Sequence, residues 1–345
     1  MKNRQEKLSD LEARTRTELS ALVEQRDVRV LAGPWLGEVG FELLYWLPFL
    51  RWAVREYPGL RDQLVVLSRG GVKSWYTGLA DRYLELFDFF TPEEFRARFP
   101  KFLKQTPKHE DYGRREYPAG EQALIDLVMR HEGLDRLNVL HPSLMFRSFK
   151  LLYEADPKGI AAFFPPMEPP PLGAIEDALP PQYVAVRFYR TYTLPSDETN
   201  VRFVQDLVDR LADHLPVVLL NTGITIDRKH PDFPPRPGTK ALTVDRFMTP
   251  ANNLDVQTAV ISRAVAYVGN HGGLSYLAPH FQIPSYTVYS DEGFIKHREL
   301  ATMALDKPNL GGYWVGSVQD MTPESIADLV AREAMSGRTA AIGRP

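Results

Sequence analysis

The chain has 345 residues, of which 44% are hydrophobic and 25% charged, and its 41 basic and 44 acidic side chains give a formal net charge of −3. This composition is that of an ordinary globular protein and excludes fibrous and disordered classes, and no basic excess indicates nucleic acid as a partner. The absence of cysteine excludes disulfides, thiolate metal sites and cysteine nucleophiles. A chain of this length favours two domains, at roughly 150 residues for each.

Residues 1–26 predict an amphipathic N-terminal helix, because Leu8, Leu11, Leu19 and Leu22 recur near helical spacing among charged residues. Such a helix packs on a core or on a second copy of the chain. Neither this segment nor any other has the apolar run of a signal sequence or a membrane span. We therefore expect a cytoplasmic protein.

Residues 27–164 alternate strand and helix patterns, which is typical of an open parallel sheet. Apolar runs predict strands at 28–32 and 63–68. Helical periodicity predicts helices at 41–57, 74–88, 92–98 and 120–132. This part of the chain is therefore expected to form one Rossmann-like domain.

Residues 165–182 contain seven prolines and predict an extended linker between domains. The alternation restarts in residues 183–335, and residues 336–345 are expected to form a tail. The predicted strands of this half are 183–188, 217–221, 266–269 and 285–289, and its predicted helices are 198–214, 253–264, 273–281 and 322–335. We therefore predict an α/β protein with two Rossmann-like domains facing across a cleft, with ligands beyond the carboxyl ends of the strands.

The segment from Asn253 to Ala278 is the most specific in the chain, and it reads as a helix, a strand, a glycine turn and a second helix. Its turn has the sequence Asn270-His271-Gly272-Gly273. The two glycines let the backbone approach a ligand closely, and the start of the following helix offers free amides and a partial positive charge to a diphosphate.

This segment, followed by Ile283-Pro284-Ser285, resembles the C-terminal donor-binding signature of GT-B glycosyltransferases, in particular the heptosyltransferase-like group. The resemblance implies a GT-B architecture with a nucleotide-sugar donor held by the second domain. It also implies metal-independent transfer of a hexosyl or heptosyl group, with inversion, to a carbohydrate or glycolipid. The family has Asp-Thr where this chain has His271-Gly272, so an imidazole replaces the aspartate contact or the contact is lost.

The predicted donor-binding residues follow strands of the second domain. Arg187 and Arg190 offer guanidinium donors to a diphosphate, and a salt bridge is the alternative for each. The other predicted donor-binding residues lie in two strand-to-loop turns and are Asn221, Thr222, Gly223, Asn270, His271, Gly272, Gly273 and Ser275. Plain turn formation is the alternative for this set.

Glu38 and Glu42 are the candidates for the catalytic base that takes the proton of the acceptor hydroxyl. Flanking glycines would expose Glu38, which we favour, whereas Glu42 would alternatively be a capping charge in the first turn of a helix. His271 and His141 are the next candidates. The predicted acceptor-binding residues are Trp35, Gly37, Gly40 and Arg69.

No metal and no cofactor is predicted, because the chain has no Asp-x-Asp triplet, no His-Glu-x-x-His motif and no phosphate-binding P-loop. The expected partners are a nucleotide-sugar donor and a carbohydrate or glycolipid acceptor, and a glycolipid acceptor is compatible with peripheral membrane association. Two alternatives stay open: a nucleotide-sugar epimerase of the same fold, and a nucleotide-sugar-binding protein without turnover. The oligomeric state, the sugar and the base are not predicted.

Overall fold

A computed structural model describes residues 4–99, 117–226, 230–292 and 295–335, and the predicted tail lies outside them. The chain divides into two compact units, Met1–Phe163 and Phe164–Pro345. Among the described helices, none combines the length and apolarity that a bilayer crossing needs.

The division falls at the start of the proline-rich segment. The amide of Met167 donates to the carbonyl of His280 at 2.7 Å, and the Nδ1 atom of His280 lies 2.5 Å from the carbonyl oxygen of Pro165. The ring of Phe164 also stacks on the His280 ring. The first residues of the predicted linker are therefore packed as part of the second unit.

The first unit has, in its described residues, one parallel sheet with the strand order β3-β2-β1-β4. Its strands are β1 (Arg29–Ala32), β2 (Leu64–Ser68), β3 (Arg82–Glu85) and β4 (Leu137–Leu140). β2 is buried along its whole length, as its apolar run requires. The strand order changes direction between β1 and β4, and the loops that follow these strands lie at this switch point.

The helices of the first unit flank this sheet. They are α1 (Arg4–Glu24), α2 (Val39–Phe41), α3 (Leu47–Glu56), α4 (Leu60–Gln63), α5 (Pro92–Arg98), α6 (Ala119–Glu132), α7 (Pro142–Arg147) and α8 (Pro157–Ala161), with π-helical segments at Glu42–Trp46 and Lys150–Ala155. The predicted helix at 41–57 is confirmed, with a π-helical turn between α2 and α3. α1 packs on β4 and on the second π-helical segment, and its Leu19 is fully buried.

The predicted helix at 74–88 is wrong. This region holds a short 3-10 turn (Val72–Tyr76), then β3, then another 3-10 turn (Leu86–Asp88). β3 forms because Arg82 to Glu85 pair in parallel with Val65 to Ser68 of β2. Pairing with a distant strand therefore overrides the local helical pattern.

The second unit has one parallel sheet in its described residues, with the order β10-β9-β8-β5-β6-β7. Its strands are β5 (Val184–Arg187), β6 (Val217–Leu219), β7 (Leu242–Thr243), β8 (Ala266–Asn270), β9 (Ser285–Tyr289) and β10 (Tyr313–Ser317). Read from β7, this is the order 3-2-1-4-5-6 of dinucleotide-binding domains, and its switch point lies between β5 and β8. The predicted α/β class and the two Rossmann-like sheets are confirmed.

The helices of the second unit are α9 (Glu198–His214), α10 (Asn253–Ile261), α11 (Ile295–Leu305) and α12 (Pro323–Met335). α9 begins where the Asp197 side chain accepts a hydrogen bond from the Asn200 amide at 2.9 Å, which is a regular N-cap. Val204, Leu207 and Leu211 of α9 pack with α12 and the sheet in one core. The predicted helices at 198–214, 253–264 and 322–335 are confirmed.

The predicted helix at 273–281 is wrong. The structure has two 3-10 turns instead, Gly273–Tyr276 and Ala278–Phe281. Gly273 has φ +56°, outside the α-helical range, and Pro279 lacks the amide hydrogen that a continuous helix would use. The expected helix N-terminus, with its macrodipole, is therefore reduced to a four-residue turn.

Candidate functional site

The loops that follow β5 and β8 meet at the switch point of the second sheet. The amide of Tyr189 donates to Oδ1 of Asn270 at 3.2 Å, and the hydroxyl of Thr193 donates to the carbonyl of His271 at 3.4 Å. Asn270 is fully buried. Its side chain therefore braces the two loops against each other, which places the predicted turn where a doubly wound sheet binds ligands.

In the turn after β8, two backbone amides have no hydrogen-bond partner among the described residues. Gly272 donates its amide hydrogen to Oγ of Ser275 at 3.0 Å, whereas the amides of Gly273 and Leu274 make no hydrogen bond to the described residues. A Cβ added to Gly272 would meet no atom within 4 Å, so this side of the turn is open. Adjacent free amides on a glycine turn are suited to an anion.

Packing within the second unit requires a glycine at position 273. A Cβ at this position would collide with the hydroxyl of Tyr189, and the backbone has φ +56°. The glycine therefore serves a close approach between two loops of one unit, in addition to any role toward a ligand. A larger residue at 273 would disturb this packing whether or not a phosphate binds there.

His271 forms a buried chain with two hydroxyl groups. Its Nδ1 atom lies 2.8 Å from the hydroxyl of Tyr313, which lies 3.0 Å from Oγ of Ser275. Burial, with smaller contributions from the nearby His297 and Arg298, lowers the pKa of His271 to about 4. The imidazole is therefore neutral at physiological pH, and its Nε2 atom is buried without a partner among the described residues.

Arg187 is the last residue of β5, and its guanidinium is engaged within the second unit. It donates to Oε1 of Gln257 and to Oδ1 of Asp232, the latter at 3.1 Å, and lies over the ring of Tyr189. Arg187 therefore forms a salt bridge, which is the stated alternative to binding a diphosphate. Arg190 is exposed, and its backbone amide donates to the carbonyl of Pro231 at 2.9 Å.

The turn after β6 is held by the same network. The amide of Thr222 donates to Oδ2 of Asp232 at 2.8 Å, and the side-chain amide of Asn221 donates to the carbonyl of Phe233 at 2.9 Å. Gly223 has φ +62° and sits at the turn. Asp232, which sequence reasoning missed, therefore joins Arg187 to this predicted turn.

Tyr192 is a second residue that sequence reasoning missed. Its side chain is 66% exposed. The turn that carries it is braced, since the amide of Thr191 donates to the carbonyl of Leu194 at 3.1 Å and the amide of Ser290 donates to the carbonyl of Thr193 at 2.7 Å. The sequence signal for Tyr192 is an aromatic residue in the polar loop that follows β5, and loops at this end of a parallel sheet are where ligands bind.

In the first unit, Glu42 is an interior carboxyl group and its predicted alternative as a capping charge is wrong. It is 1% exposed, and its Oε1 atom accepts hydrogen bonds from Ser68 at 2.6 Å and Tyr76 at 2.5 Å. Burial raises the pKa of Glu42 to about 7, although these two hydrogen bonds oppose the shift. The π-helical turn directs this side chain inward instead of to the helix start.

Glu38 is the accessible one of the two predicted bases. It is half-buried and precedes α2 with an extended backbone. Its side chain makes no hydrogen bond or ion pair with the described residues. Its carboxylate is therefore unpaired among the described residues, and its role as a base stays a prediction.

Trp35, one of the predicted acceptor-binding residues, lies inside the first unit, where its ring is not open to an acceptor. It is 2% exposed and stacks on Trp46 with a centroid distance of 5.8 Å. A Cβ on Gly37 would lie 3.1 Å from the Trp35 ring, so this glycine makes room for the indole. Both residues therefore shape the core, and Gly40 is half-buried in α2.

The Arg69-Gly70-Gly71 turn after β2 has its amides occupied. The amides of Gly70 and Gly71 donate to the carboxylate of Glu85 at 2.9 Å and 2.7 Å. Arg69 is buried and donates to the carbonyl of Gly37 at 2.5 Å. Arg69 is predicted to bind the acceptor, but its side chain is already hydrogen-bonded inside the first unit.

His141 is unsuited to act as a base. Its Nδ1 atom accepts a hydrogen bond from the Ser143 amide at 3.1 Å, so its proton is on Nε2, which lies 2.8 Å from Oε2 of Glu121. Both ring nitrogens are used at the start of α7. In the described part of the chain, no group of three His, Asp or Glu side chains is arranged to hold a metal ion.

Neither a protein-family model nor a curated protein matches the chain. Solved structures similar to it include E. coli heptosyltransferase WaaC with ADP, at 16% identity over 90% of this chain and 100% of that chain, with a TM-score of 0.42. E. coli ADP-heptose lps heptosyltransferase II is 12% identical over 90% and 99%, with a TM-score of 0.46. A putative UDP-N-acetylglucosamine 2-epimerase from Listeria monocytogenes is 12% identical over 92% and 98%, with a TM-score of 0.35.

Proposed function

We propose that the chain is a metal-independent glycosyltransferase that moves a sugar from a nucleotide-sugar donor to a carbohydrate or glycolipid acceptor. The observation that carries this proposal is the turn after β8, at the switch point of a sheet with the strand order of dinucleotide-binding domains. The free amides of Gly273 and Leu274 are suited to the charge of a diphosphate, and the open side of Gly272 leaves room for it.

The turn amides would serve the leaving group. As the bond between the sugar and the diphosphate breaks, negative charge develops on the departing phosphate oxygen. Two fixed N–H groups of Gly273 and Leu274 stabilise that charge without reorganising, and the neutral His271 adds no charge of its own. The nucleoside diphosphate then leaves with the electron pair of the broken bond.

Glu38 is the proposed base. The acceptor hydroxyl loses its proton to the Glu38 carboxylate as its oxygen attacks the anomeric carbon from the side opposite the diphosphate, so the transfer inverts the configuration. The free side chain of Glu38 supports this role, and the interior position of Glu42 makes the second candidate less suitable.

Donor binding is tested first, by thermal shift and calorimetry with ADP, UDP, GDP, CMP and dTDP and their sugars. ADP is the first ligand to try, since it is named with the E. coli heptosyltransferase structure. A nucleoside diphosphate or its sugar should raise the melting temperature, because a ligand that binds only the folded state stabilises it. If none of these compounds changes the melting temperature, the proposed function is wrong.

Turnover then separates the three candidate functions. A transferase releases nucleotide slowly from its donor alone and faster when an acceptor carbohydrate is added. An epimerase converts the nucleotide sugar with no acceptor present, and a binding protein shows the thermal shift with no turnover. Addition of a chelator such as EDTA should leave the transfer rate unchanged.

A further inference from the structure

The turn after β8 is joined to the edge strand β10 by a chain of side-chain hydrogen bonds. The Gly272 amide donates to Oγ of Ser275, Oγ of Ser275 lies 3.0 Å from the Tyr313 hydroxyl, and that hydroxyl lies 2.8 Å from Nδ1 of His271. Ser275 is fully buried, and Tyr313 and His271 are each 5% exposed. The chain is therefore shielded from solvent, and its protons must be shared among these groups.

The direction of this chain follows from counting protons. The oxygen of Ser275 already accepts the Gly272 amide hydrogen, and its own proton has the Tyr313 oxygen as its acceptor among the described residues. The Tyr313 proton then goes to Nδ1 of His271, because an imidazole nitrogen is a far stronger acceptor than a hydroxyl oxygen. The Gly272 amide and the Thr287 hydroxyl also lie beside the Tyr313 oxygen. Because Thr287 gives its own proton to the carbonyl of Trp314 at 2.8 Å, its oxygen is a second acceptor for the Tyr313 proton, and a weaker one than the imidazole nitrogen.

The imidazole is uncharged in this setting. It is buried, and the charged or titratable groups that face it are His297 and Arg298 of α11, both of which disfavour a second proton. The Tyr276 and Tyr313 rings pack on it with centroids 5.8 Å and 6.2 Å away. With Nδ1 accepting from Tyr313, the single ring proton lies on Nε2.

We propose that Ser275 and Tyr313 hold His271 as the neutral Nε2–H tautomer, and that this N–H donates to an oxygen of the diphosphate of a bound nucleotide. The second half rests on the proposed function. Nε2 is buried and unpaired in the described residues, and an unpaired buried donor is costly unless a ligand or water satisfies it. Tyr313 is a positioning residue in this scheme, and His271 is excluded as the catalytic base.

The tautomer is tested without any ligand, by NMR of the ring nitrogens in the full chain labelled with ¹⁵N-histidine. His271 is assigned from the signal lost in His271→Asn. Wild-type protein should show a protonated Nε2 and an unprotonated Nδ1 from pH 5.5 to 8. Tyr313→Phe, which keeps the ring and removes the hydroxyl, should shift the population toward Nδ1–H. A protonated Nδ1 in the wild type, or no change in Tyr313→Phe, overturns the assignment.

The donor role is tested with ADP and two variants of His271. Gln carries its amide nitrogen at the same distance along the side chain as Nε2, whereas Asn replaces Nδ1 and has nothing at Nε2. His271→Gln should therefore bind ADP within severalfold of the wild type, and His271→Asn should bind about 10-fold more weakly or worse. Affinity at the wild-type level in His271→Asn overturns the donor role.

The two proposals fail in different ways. If the chain binds no nucleotide, the proposed function and the donor role fall, and the NMR result alone decides whether Tyr313 sets the tautomer. If ADP binds but its affinity rises steeply as the pH falls below 6.5, the ligand selects a cationic imidazole and the neutral donor is overturned. Affinity that is flat in this range supports it.

Discussion

Each unit has a turn with a glycine pair directly after a strand, and the two turns differ in their capacity to bind an anion. Arg69-Gly70-Gly71 follows β2 and His271-Gly272-Gly273 follows β8, and all four of these glycines have positive φ. In the first turn, the carboxylate of Glu85 on neighbouring β3 accepts both glycine amides. In the second turn, the amides of Gly273 and Leu274 have no partner in the described residues.

A glycine pair at a strand end is therefore not by itself an anion site. The amides are suited to a carboxylate or a phosphate alike, and the side chain that arrives from the adjacent strand decides which is bound. The first unit fills its turn with its own Glu85. The second unit leaves its turn open, which is why we place the nucleotide there.

The largest expected effect is that of a substitution at Glu38, in the first unit, whose glycine turn is closed to anions. Glu38→Gln keeps the shape of the side chain and removes its proton-accepting capacity, so the transfer rate should fall by about 10² to 10⁴ with donor affinity unchanged. Steady-state kinetics and calorimetry measure the two quantities. Glu42→Gln is the matched control and should keep most of the rate.

The roles of the two glutamates can also be reversed by experiment. Loss of transfer in Glu42→Gln with a normal rate in Glu38→Gln would move the base to the interior carboxyl group. Full activity in both variants would remove both residues from the chemistry.

Glu85→Ala should empty the first turn and make it resemble the second. The carboxylate accepts hydrogen bonds from the amides of Gly70, Gly71 and Phe87 and from the Tyr83 hydroxyl. Its removal should lower the free energy of unfolding by about 2–4 kcal/mol in urea titrations. Phosphate or sulfate should then stabilise the variant more than the wild type. Equal stabilisation of the two proteins by the added anion would contradict this explanation of the closed turn.

Glu42 gives a pH signature that the second unit should not share. The folded protein holds this carboxyl with a pKa of about 7, above its ordinary value of 4.5, so folding favours the protonated form. The stability it contributes is full below pH 4.5 and is lost as the pH rises to about 7, a loss of roughly 2–3 kcal/mol. Glu42→Gln should remove this slope from urea unfolding curves, and an unchanged slope would contradict the burial of a titrating group.

His271 should give the opposite signature. Its folded pKa of about 4 lies below the ordinary 6.5, so stability is full above pH 6.5 and is lost as the pH falls toward 4. The change should be about 3 kcal/mol, and His271→Gln should be less sensitive to acid than the wild type. Equal acid sensitivity of the two proteins in thermal melts would argue against a desolvated imidazole.

Arg187→Ala has the smallest expected effect, and it tests whether a residue outside the open turn also binds the nucleotide. Because this guanidinium pairs with Asp232 and Gln257, its removal should cost about 1–3 kcal/mol of stability. Gln257→Leu is a matched control that keeps the ion pair. If nucleotide affinity falls by about 10- to 100-fold in Arg187→Ala and not in the control, the arginine is a phosphate ligand as well as a brace.

Local patterns predicted most of the secondary structure that surrounds the site. The apolar runs that became β1, β2, β5, β6, β8 and β9 were found, and so was α9, whose Asp197 cap is a local signal. β3, β4, β7 and β10 were missed, and each of them pairs in parallel with a neighbouring strand that lies far away in the sequence. The expected helix after Gly273 was wrong, because the backbone there is set by the approach of Tyr189 and by Pro279.

The candidate site was predictable only as a place. The glycine turn and the strand before it could be read from Val268 to Gly273, and the carboxyl end of the strand follows from that reading. The partners of the side chains could not, since Asp232, Gln257 and Tyr313 come from distant parts of the chain. The exposed Tyr192 was missed because exposure depends on how its loop is braced.

The sequence alone determined where the strongly apolar strands end and where glycines let the backbone turn, because apolar β-branched runs and glycines act within a few residues of themselves. Tertiary structure decided which of those turns is open, which carboxyl group has a raised pKa and where the proton of His271 lies. Glu85 closes one turn, burial raises the pKa of Glu42, and the Tyr313 hydroxyl faces the imidazole. Each effect depends on groups that only the folded chain brings within hydrogen-bond distance or removes from water.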